Sequence, residues 1–95
     1  MEYQKLLQVV YAAAERCAKR GAGYSQQRVV LDEVARHFNS DAFVSPLEIK
    51  VQQEILTCWH DLFREGRLSW GYDLDNPDGP FFHVPTRDTQ VRLTG

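Results

Sequence analysis

Apolar residues recur at intervals of three and four along the first forty residues, which is the spacing of one face of an α-helix. The first stripe consists of Tyr3, Leu6, Leu7, Val10, Ala14, Cys17 and Ala18. Gly21 and Gly23 follow this stripe, and glycine ends helices because it adopts the left-handed conformation without a Cβ clash. The pattern therefore predicts a first helix over residues 3–20.

A second apolar stripe predicts a helix that begins near residues 25–28 and ends at Asn39. Its members are Val30, Leu31, Val34, Ala35 and Phe38. The run of three apolar residues from Val29 to Leu31 is also compatible with a short strand, because β-branched residues suit extended backbone. Charged residues on the opposite side of this stripe favour the helix.

The segment "SPLE" predicts the start of a third helix. Ser45 suits the N-cap, Pro46 suits the first helical position, and Glu48 completes a capping box at the third. The apolar face that follows, up to Gly66, comprises Leu47, Val51, Ile55, Leu56, Trp59, Leu62 and Phe63. Lys50, Gln53, Glu54, Thr57, His60 and Arg64 fall on the opposite, polar face.

The periodicity changes from helical to alternating directly after Gly66. Leu68, Trp70 and Tyr72 alternate with smaller or polar residues, which predicts a half-buried strand. The segment "DNPDGP" is rich in turn-forming residues, and "FFHV" predicts a returning strand that ends at Pro85. We expect Trp59, Phe63 and Trp70 to share one core with the first helix.

The length of 95 residues fits a single domain, which we place at residues 1–85. Residues 86–95 form a polar tail that is a third strand, a flexible end or the stub of a longer chain. No apolar run reaches the ~20 residues of a membrane span. The N-terminus has no basic segment followed by an apolar one, so we expect no signal peptide and a cytoplasmic location.

The order helix, helix, helix, hairpin resembles a winged helix-turn-helix domain. The residues that carry the resemblance are "SPLEIKVQQEILTCWHDLFREGRL" followed directly by "SWGYDLDNPDGPFFHV". The chain also resembles small bacterial winged-helix domains whose wing contains a Phe-rich return strand. The resemblance covers residues 3–85 and implies a mainly α fold with a small β-hairpin. It implies either DNA binding or protein–protein contact, because winged helices serve both.

Charge is distributed unevenly along the chain, whose formal net charge is −2. The first 36 residues carry six Lys and Arg against four Asp and Glu, and the remainder carries five against nine. This balance excludes a generic, strongly basic nucleic-acid binder. A local basic patch is expected around Arg16, Lys19, Arg20 and Arg28, since no acidic residue separates them in sequence.

Residues that bear metal or catalytic chemistry do not form a known motif in this sequence. Asp73, Asp75 and Asp78 do not match a calcium-loop spacing in either frame, because Pro77 or Leu74 occupies a ligand position. The three histidines show no H-x-x-x-H spacing, and no nucleophile elbow is present. We therefore expect no enzymatic activity, cofactor or metal, and we interpret the aspartates as turn formers.

The two cysteines lie far apart in sequence and fall on predicted apolar helix faces. Cys17 and Cys58 form no C-x-x-C pair and have no nearby histidine at zinc spacing. We expect buried free thiols, with a structural disulfide or metal ligands as the alternatives.

The polar face of the third helix is the candidate DNA-reading surface. Lys50, Gln53 and Thr57 are residue types that read the major groove, and Ser45 lies where helix N–H groups meet phosphate. Gln27 and Arg28, with Gln26 before them, are expected to contact the DNA backbone. Opposing this prediction are Glu48, Glu54 and an acidic wing tip that comprises Asp73, Asp75, Asn76 and Asp78.

We therefore predict a non-enzymatic module that binds double-stranded DNA through its third helix, as a small regulator or as part of a larger protein. The alternative is a protein-interaction domain that uses the acidic wing and a nearby aromatic face. The sequence leaves the oligomeric state open.

Overall fold

The computed structural model describes residues 2–39 and 47–86, which form three helices and three short strands. The elements in chain order are α1 (Tyr3–Arg20), β1 (Tyr24–Gln26), α2 (Gln27–Phe38), α3 (Ile49–Arg64), β2 (Ser69–Trp70) and β3 (Phe81–His83). The prediction of a mainly helical fold with a small β-hairpin is confirmed at this level. The predicted tail, apart from Thr86, lies outside the described residues.

The strands form one antiparallel sheet in the order β1-β3-β2. Consecutive strands β2 and β3 make the predicted hairpin, with Trp70 opposite Phe82. β1 pairs with the other edge of β3 and places Ser25 opposite Phe82. The sequence did not predict β1, because three residues carry no periodicity and this strand depends on its pairing with β3.

A single apolar core lies between the helices and the inner face of the sheet. α1 contributes Leu6, Leu7, Val10, Ala13, Ala14, Cys17 and Ala18, which matches the predicted stripe except that Tyr3 is exposed and Ala13 is also buried. α2 contributes Val30 and Val34, and α3 contributes Ile55, Cys58, Trp59 and Leu62. Leu68 and Phe82 complete the core from the sheet side. The apolar stripes of the three helices therefore face one another as their spacing predicted, except that Leu56 of the predicted α3 face is exposed.

Trp59 lies at the centre of an aromatic cluster on the inner face of the sheet. Its ring centroid is 5.2 Å from Phe82, 5.0 Å from Phe63 and 6.0 Å from Trp70. Phe63 and Trp70 stack at 4.3 Å. These four residues are called the inner aromatic cluster below. The expectation that Trp59, Phe63 and Trp70 share one core with α1 is confirmed.

The helix α1 ends near Gly21 as predicted, but Gly21 itself does not adopt the left-handed conformation. Gly21 has φ of −103°, whereas Ala22 and Gly23 adopt positive φ values of 61° and 101°. The amide of Gly23 donates to the carbonyl of Ala18 at 2.7 Å, which satisfies a free carbonyl at the helix end. The glycine that takes the left-handed role is Gly23.

The start of α3 also differs from the prediction. Glu48 is the N-cap, with extended backbone (ψ 147°), and its side chain caps no amide, so its assignment to a capping box is wrong. The side-chain amide of Gln52 instead donates to the carbonyl of Leu47 at 2.6 Å. Ser45 and Pro46 lie outside the described residues. In the described part of the chain, no helix is long and apolar enough to cross a membrane.

Candidate interaction surfaces

The wing, which we define as residues 71–80 between β2 and β3, has a tip ordered by Asp73. The Asp73 Oδ1 atom accepts hydrogen bonds from the amides of Asp75 (3.0 Å) and Asn76 (2.7 Å) and from the Asn76 side chain (3.0 Å). The backbone amide of Asn76 also donates to the carbonyl of Asp73 at 3.1 Å. Asp73 and Asn76 therefore act as turn formers, as the sequence indicated.

The wing also exposes apolar side chains that the sequence did not identify as functional. Leu74 is 97% exposed and lies between Asp73 and Asp75. Asp75 and Asp78 are exposed as well. From Leu68 to Thr86 the sequence contains no Lys or Arg. The wing therefore presents negative charge together with an apolar tip.

Tyr72 lies on the outer face of the sheet, which contradicts the alternation predicted from Leu68 and Trp70. Its ring stacks on Tyr24 with a centroid distance of 3.9 Å, and each of these tyrosines lies about 6 Å from Phe81. Gly71 has φ of 111°, which turns the chain and reverses the side of the next residue. Tyr24, Tyr72 and Phe81 are called the outer aromatic cluster below.

Gly71 also allows the chain at the start of the wing to pack closely against the backbone of Pro77. A Cβ atom at this position would lie 2.8 Å from the carbonyl oxygen of Pro77. The amides of Gly71 and Tyr72 donate to the carbonyls of Phe81 and Asn76, both at 2.8 Å. On the neighbouring strand, the His83 Nδ1 atom lies 2.8 Å from the Gly71 carbonyl. The conformation of the wing is thus fixed by backbone contacts.

The predicted DNA-reading residues of α3 line a shallow groove beside α1. Lys50, Gln53 and Thr57 are brought together there with Glu54, and Tyr3 and Leu6 form the α1 side. The groove has a volume of about 220 Å³. The hydroxyl of Thr57 donates to the carbonyl of Gln53 at 2.9 Å, so it is already engaged within the helix. Lys50 and Gln53 are exposed.

A buried carboxylate, Asp61, adjoins this groove. Its Oδ2 atom accepts a hydrogen bond of 2.5 Å from the Tyr3 hydroxyl, and its Oδ1 atom is paired with Arg64. This hydrogen bond, followed by desolvation and the charge of Asp61, raises the pKa of Tyr3 to about 12. The arrangement ties the start of α1 to α3, which is a structural role that the sequence did not predict.

One acidic residue offsets part of the charge of the expected basic patch in the structure. Glu33 of α2 accepts from Arg16 and from Arg20, with nitrogen–oxygen distances of 2.8 Å for each ion pair. Burial opposes the charged form of Glu33, but the hydrogen bonds from Arg20 and Arg16 lower its pKa overall. The sequence did not indicate this acid, because Glu33 comes from a neighbouring helix and not from the segment between Arg16 and Arg28.

The remaining predicted DNA contacts are not gathered on the α3 groove. The amide of Gln27 donates to the Pro80 carbonyl at 3.0 Å, which connects the start of α2 to the wing. Arg28 is exposed and lies 3.8 Å from Asp32, a separation typical of a weak surface pair. Ser45 lies outside the described residues. α3 begins with the exposed acid Glu48 and with Ile49, which is 65% exposed.

Both cysteines are buried free thiols, as expected. Burial raises the pKa of Cys17 and, with the nearby Asp61 and Glu54 charges, raises that of Cys58 to about 11. Such thiols react slowly with electrophiles, because the thiolate is the reactive form. Among residues 2–39 and 47–86, no three His, Cys, Asp or Glu side chains are grouped to hold a metal ion.

Comparison of the chain with protein-family models, with curated proteins and with solved structures finds no match.

Proposed function

We propose that this chain is a winged-helix domain that binds a protein partner through its wing. The order α1-β1-α2-α3-β2-β3 and the strand order β1-β3-β2 support the winged-helix assignment. In that arrangement α3 is followed directly by the hairpin that forms the wing, and β1 closes the other edge of β3. The domain carries no catalytic function in this proposal.

The observation that carries the proposal is the exposed wing tip. A leucine that is 97% exposed costs solubility and contributes nothing to the core, yet the turn around Asp73 holds it outward. Contact of Leu74 with an apolar pocket would remove this side chain from water at little conformational cost, because the tip is already ordered. The flanking aspartates favour a partner surface of positive charge.

Binding of double-stranded DNA through α3 is the second candidate function. Exposed Lys50 and Gln53 favour it, because both are groove-reading residue types on one side of the helix. Affinity for DNA depends on the number of phosphates that cations neutralise. Arg16 and Arg20 are paired with Glu33, and the wing brings only acids, so the described residues supply few such cations.

Site-specific photocrosslinking in cells that express the chain natively tests both candidates. A benzophenone amino acid is placed at Leu74 on the wing, at His60 on α3, or at Glu15 on the exposed side of α1 as a control. We expect a discrete protein adduct from position 74, none from position 15, and loss of the adduct when Asp73, Asp75 and Asp78 are changed to Asn. A nucleic-acid adduct from position 60 with none from position 74 would favour the DNA candidate and contradict the first.

A binding measurement with DNA complements the crosslinking. Fluorescence anisotropy with a labelled random duplex at 50 and 150 mM salt is expected to show no saturable binding by the parent chain. Saturable, steeply salt-dependent binding that the double variant K50A/R28A weakens would establish the second candidate. Unchanged binding by that variant would exclude α3 and the start of α2 as the DNA-contacting surface.

A further inference from the structure

The outer face of the sheet carries aromatic rings, and the wing that connects two of them, Tyr72 and Phe81, carries carboxylates. Tyr24, Tyr72 and Phe81 form the outer aromatic cluster, and Tyr72 remains 46% exposed although it stacks on Tyr24 at 3.9 Å. Asp73 follows Tyr72 directly, Asp75 lies in the turn that Asp73 orders, and Asp78 follows that turn. The wing that begins at Tyr72 therefore carries negative charge.

The two aspartates at the far side of the turn are available for contact with a partner. Asp73 uses its Oδ1 atom to order the loop. In the described part of the chain, the carboxylates of Asp75 and Asp78 have neither a hydrogen bond nor an ion pair, and both are exposed. Since Asp73 accepts a hydrogen bond from the amide of Asp75, the carboxylate of Asp75 projects from an ordered turn.

We propose that the outer aromatic cluster and the wing aspartates bind an arginine-bearing segment of the partner protein. The inference rests on the proposed protein-binding function and specifies the chemistry of the partner. A guanidinium group is planar and weakly hydrated, so it stacks on an exposed tyrosine ring and donates to carboxylates in the same plane. Lysine offers a compact, strongly hydrated charge that gains less from a flat ring.

A guanidinium–tyrosine contact of this type already exists elsewhere in the molecule. The guanidinium carbon of Arg67 lies 4.0 Å from the ring centroid of Tyr11. Tyr72 offers a comparable ring to an incoming arginine. Nucleic acid is disfavoured as the occupant of this face, although bases also stack on aromatic rings, because the phosphates would meet Asp73, Asp75 and Asp78 with no Lys or Arg between Leu68 and Thr86.

The test is a titration of the ¹⁵N-labelled chain with three capped hexapeptides, in which Arg, Lys or Gln alternates with Ala. At about 20 mM salt, where surface charges are weakly screened, we expect the Arg peptide to shift amide resonances of residues 24, 71–76, 78 and 81. The Lys peptide is expected to bind roughly three-fold more weakly, in keeping with the modest strength of exposed cation–π contacts. The Gln peptide should produce no saturable shift.

Two variants separate the contributions of ring and charge. Y72L removes the flat ring but retains an apolar side chain, and Y72F keeps the ring and serves as its matched control. We expect Y72L to weaken Arg-peptide binding about three-fold and Y72F to leave it unchanged. D75N/D78N should weaken it by a similar factor and reduce its salt dependence, because two of the three wing charges are removed and neither carboxylate supports the turn.

Several outcomes would overturn the inference. Equal binding of the Arg and Lys peptides, or equal binding by Y72L and Y72F, would show that the aspartates attract any cation without ring stacking. Concentration-dependent dimerisation of the parent that D75N/D78N abolishes would identify a second copy as the occupant. Absence of Arg-peptide binding alongside a wing-dependent protein adduct would reject the arginine inference and leave the protein-binding function intact, whereas absence of both would reject the two together.

Discussion

The two faces of one small sheet carry aromatic clusters of opposite character. The inner cluster packs Trp59, Phe63, Trp70 and Phe82 between the sheet and the helices, and Trp59 and Phe82 are fully buried. The outer cluster packs only its own three rings together and leaves Tyr72 nearly half exposed. Neighbouring residues of one strand, Phe81 and Phe82, therefore belong to different environments.

The difference between the clusters distinguishes the aromatic residues that stabilise the fold from those that remain exposed and can contact another molecule. Burial of an inner ring removes a large apolar area from water, and nearly all of the stabilisation that burial provides is already present in the isolated domain. An exposed ring provides this stabilisation only when another molecule covers it and removes its surface from water. The two faces are expected to differ accordingly under mutation.

Truncation of an inner ring should have the largest effect on stability. Phe82→Ala removes a fully buried side chain that contacts Trp59, and we expect a loss of about 3–5 kcal/mol in the free energy of unfolding. Phe81→Ala, one residue away on the outer face, should cost less than ~1.5 kcal/mol, since its ring is only partly buried. Urea denaturation measures both values, and equal losses would contradict the contrast between the faces.

Replacement of Gly71, whose positive φ places Trp70 and Tyr72 on opposite faces of the sheet, should have the next largest effect. Gly71→Ala combines a positive φ with a backbone clash, and we expect a loss of about 2–3 kcal/mol. Gly23→Ala is the matched control, because Gly23 also has a positive φ but a Cβ there would meet nothing within 4 Å. Its cost should be ~1 kcal/mol. Similar losses for both variants would mean that the wing adapts and that Pro77 does not constrain it.

The Tyr3 hydroxyl donates a hydrogen bond to the buried Asp61 carboxylate, and titration of this phenol tests that contact. Because the pKa of Tyr3 is raised to about 12 from an ordinary value of 10.0, its hydrogen bond stabilises the fold fully below about pH 10. That stabilisation is lost as the pH rises through about 12. Absorbance titration near 295 nm should show one phenol that ionises late in the parent, and D61N should return it towards 10. A parent curve identical to that of D61N would contradict the hydrogen bond.

Neutralisation of the wing should have the smallest effect on stability. Changing Asp73, Asp75 and Asp78 together to Asn retains an oxygen at position 73 that accepts the turn amides. We expect the free energy of unfolding to change by less than about 1 kcal/mol, because exposed charges contribute little. Thermal and urea unfolding measure the change. A loss above ~2 kcal/mol would show that the carboxylates are needed for folding or hold an ion.

The helices were predictable because their information is local. The stripe from Leu6 to Ala18 and the stripe of Val30 and Val34 specify buried faces by spacing alone, and both helices are found close to their predicted bounds. The start of α3 was less predictable, since "SPLE" suits a capping box whereas Glu48 adopts extended backbone and Gln52 bonds to Leu47. Alternative hydrogen-bonding arrangements at a helix start have similar free energies, so residue types alone do not fix the helix boundary.

The candidate surfaces were predictable only in part. The acidic, turn-forming character of the wing follows from residue type, and the aspartates are exposed as expected. The pairing of Arg16 and Arg20 with Glu33 was not predictable, because Glu33 lies on α2 and both arginines lie on α1. The same holds for Tyr24, which meets Tyr72 only after β1 has paired with β3.

The sequence by itself determined the three amphipathic helices, the hairpin and the sign of the charge on the wing, since spacing and residue type along one segment are sufficient for each. Tertiary structure alone decided which charges remain unpaired and which aromatic rings remain exposed. These properties depend on which segments meet in space, as in the pairing of β1 with β3. The side on which Tyr72 lies also depends on the conformation of one residue, Gly71, whose positive φ interrupts the alternation of the strand.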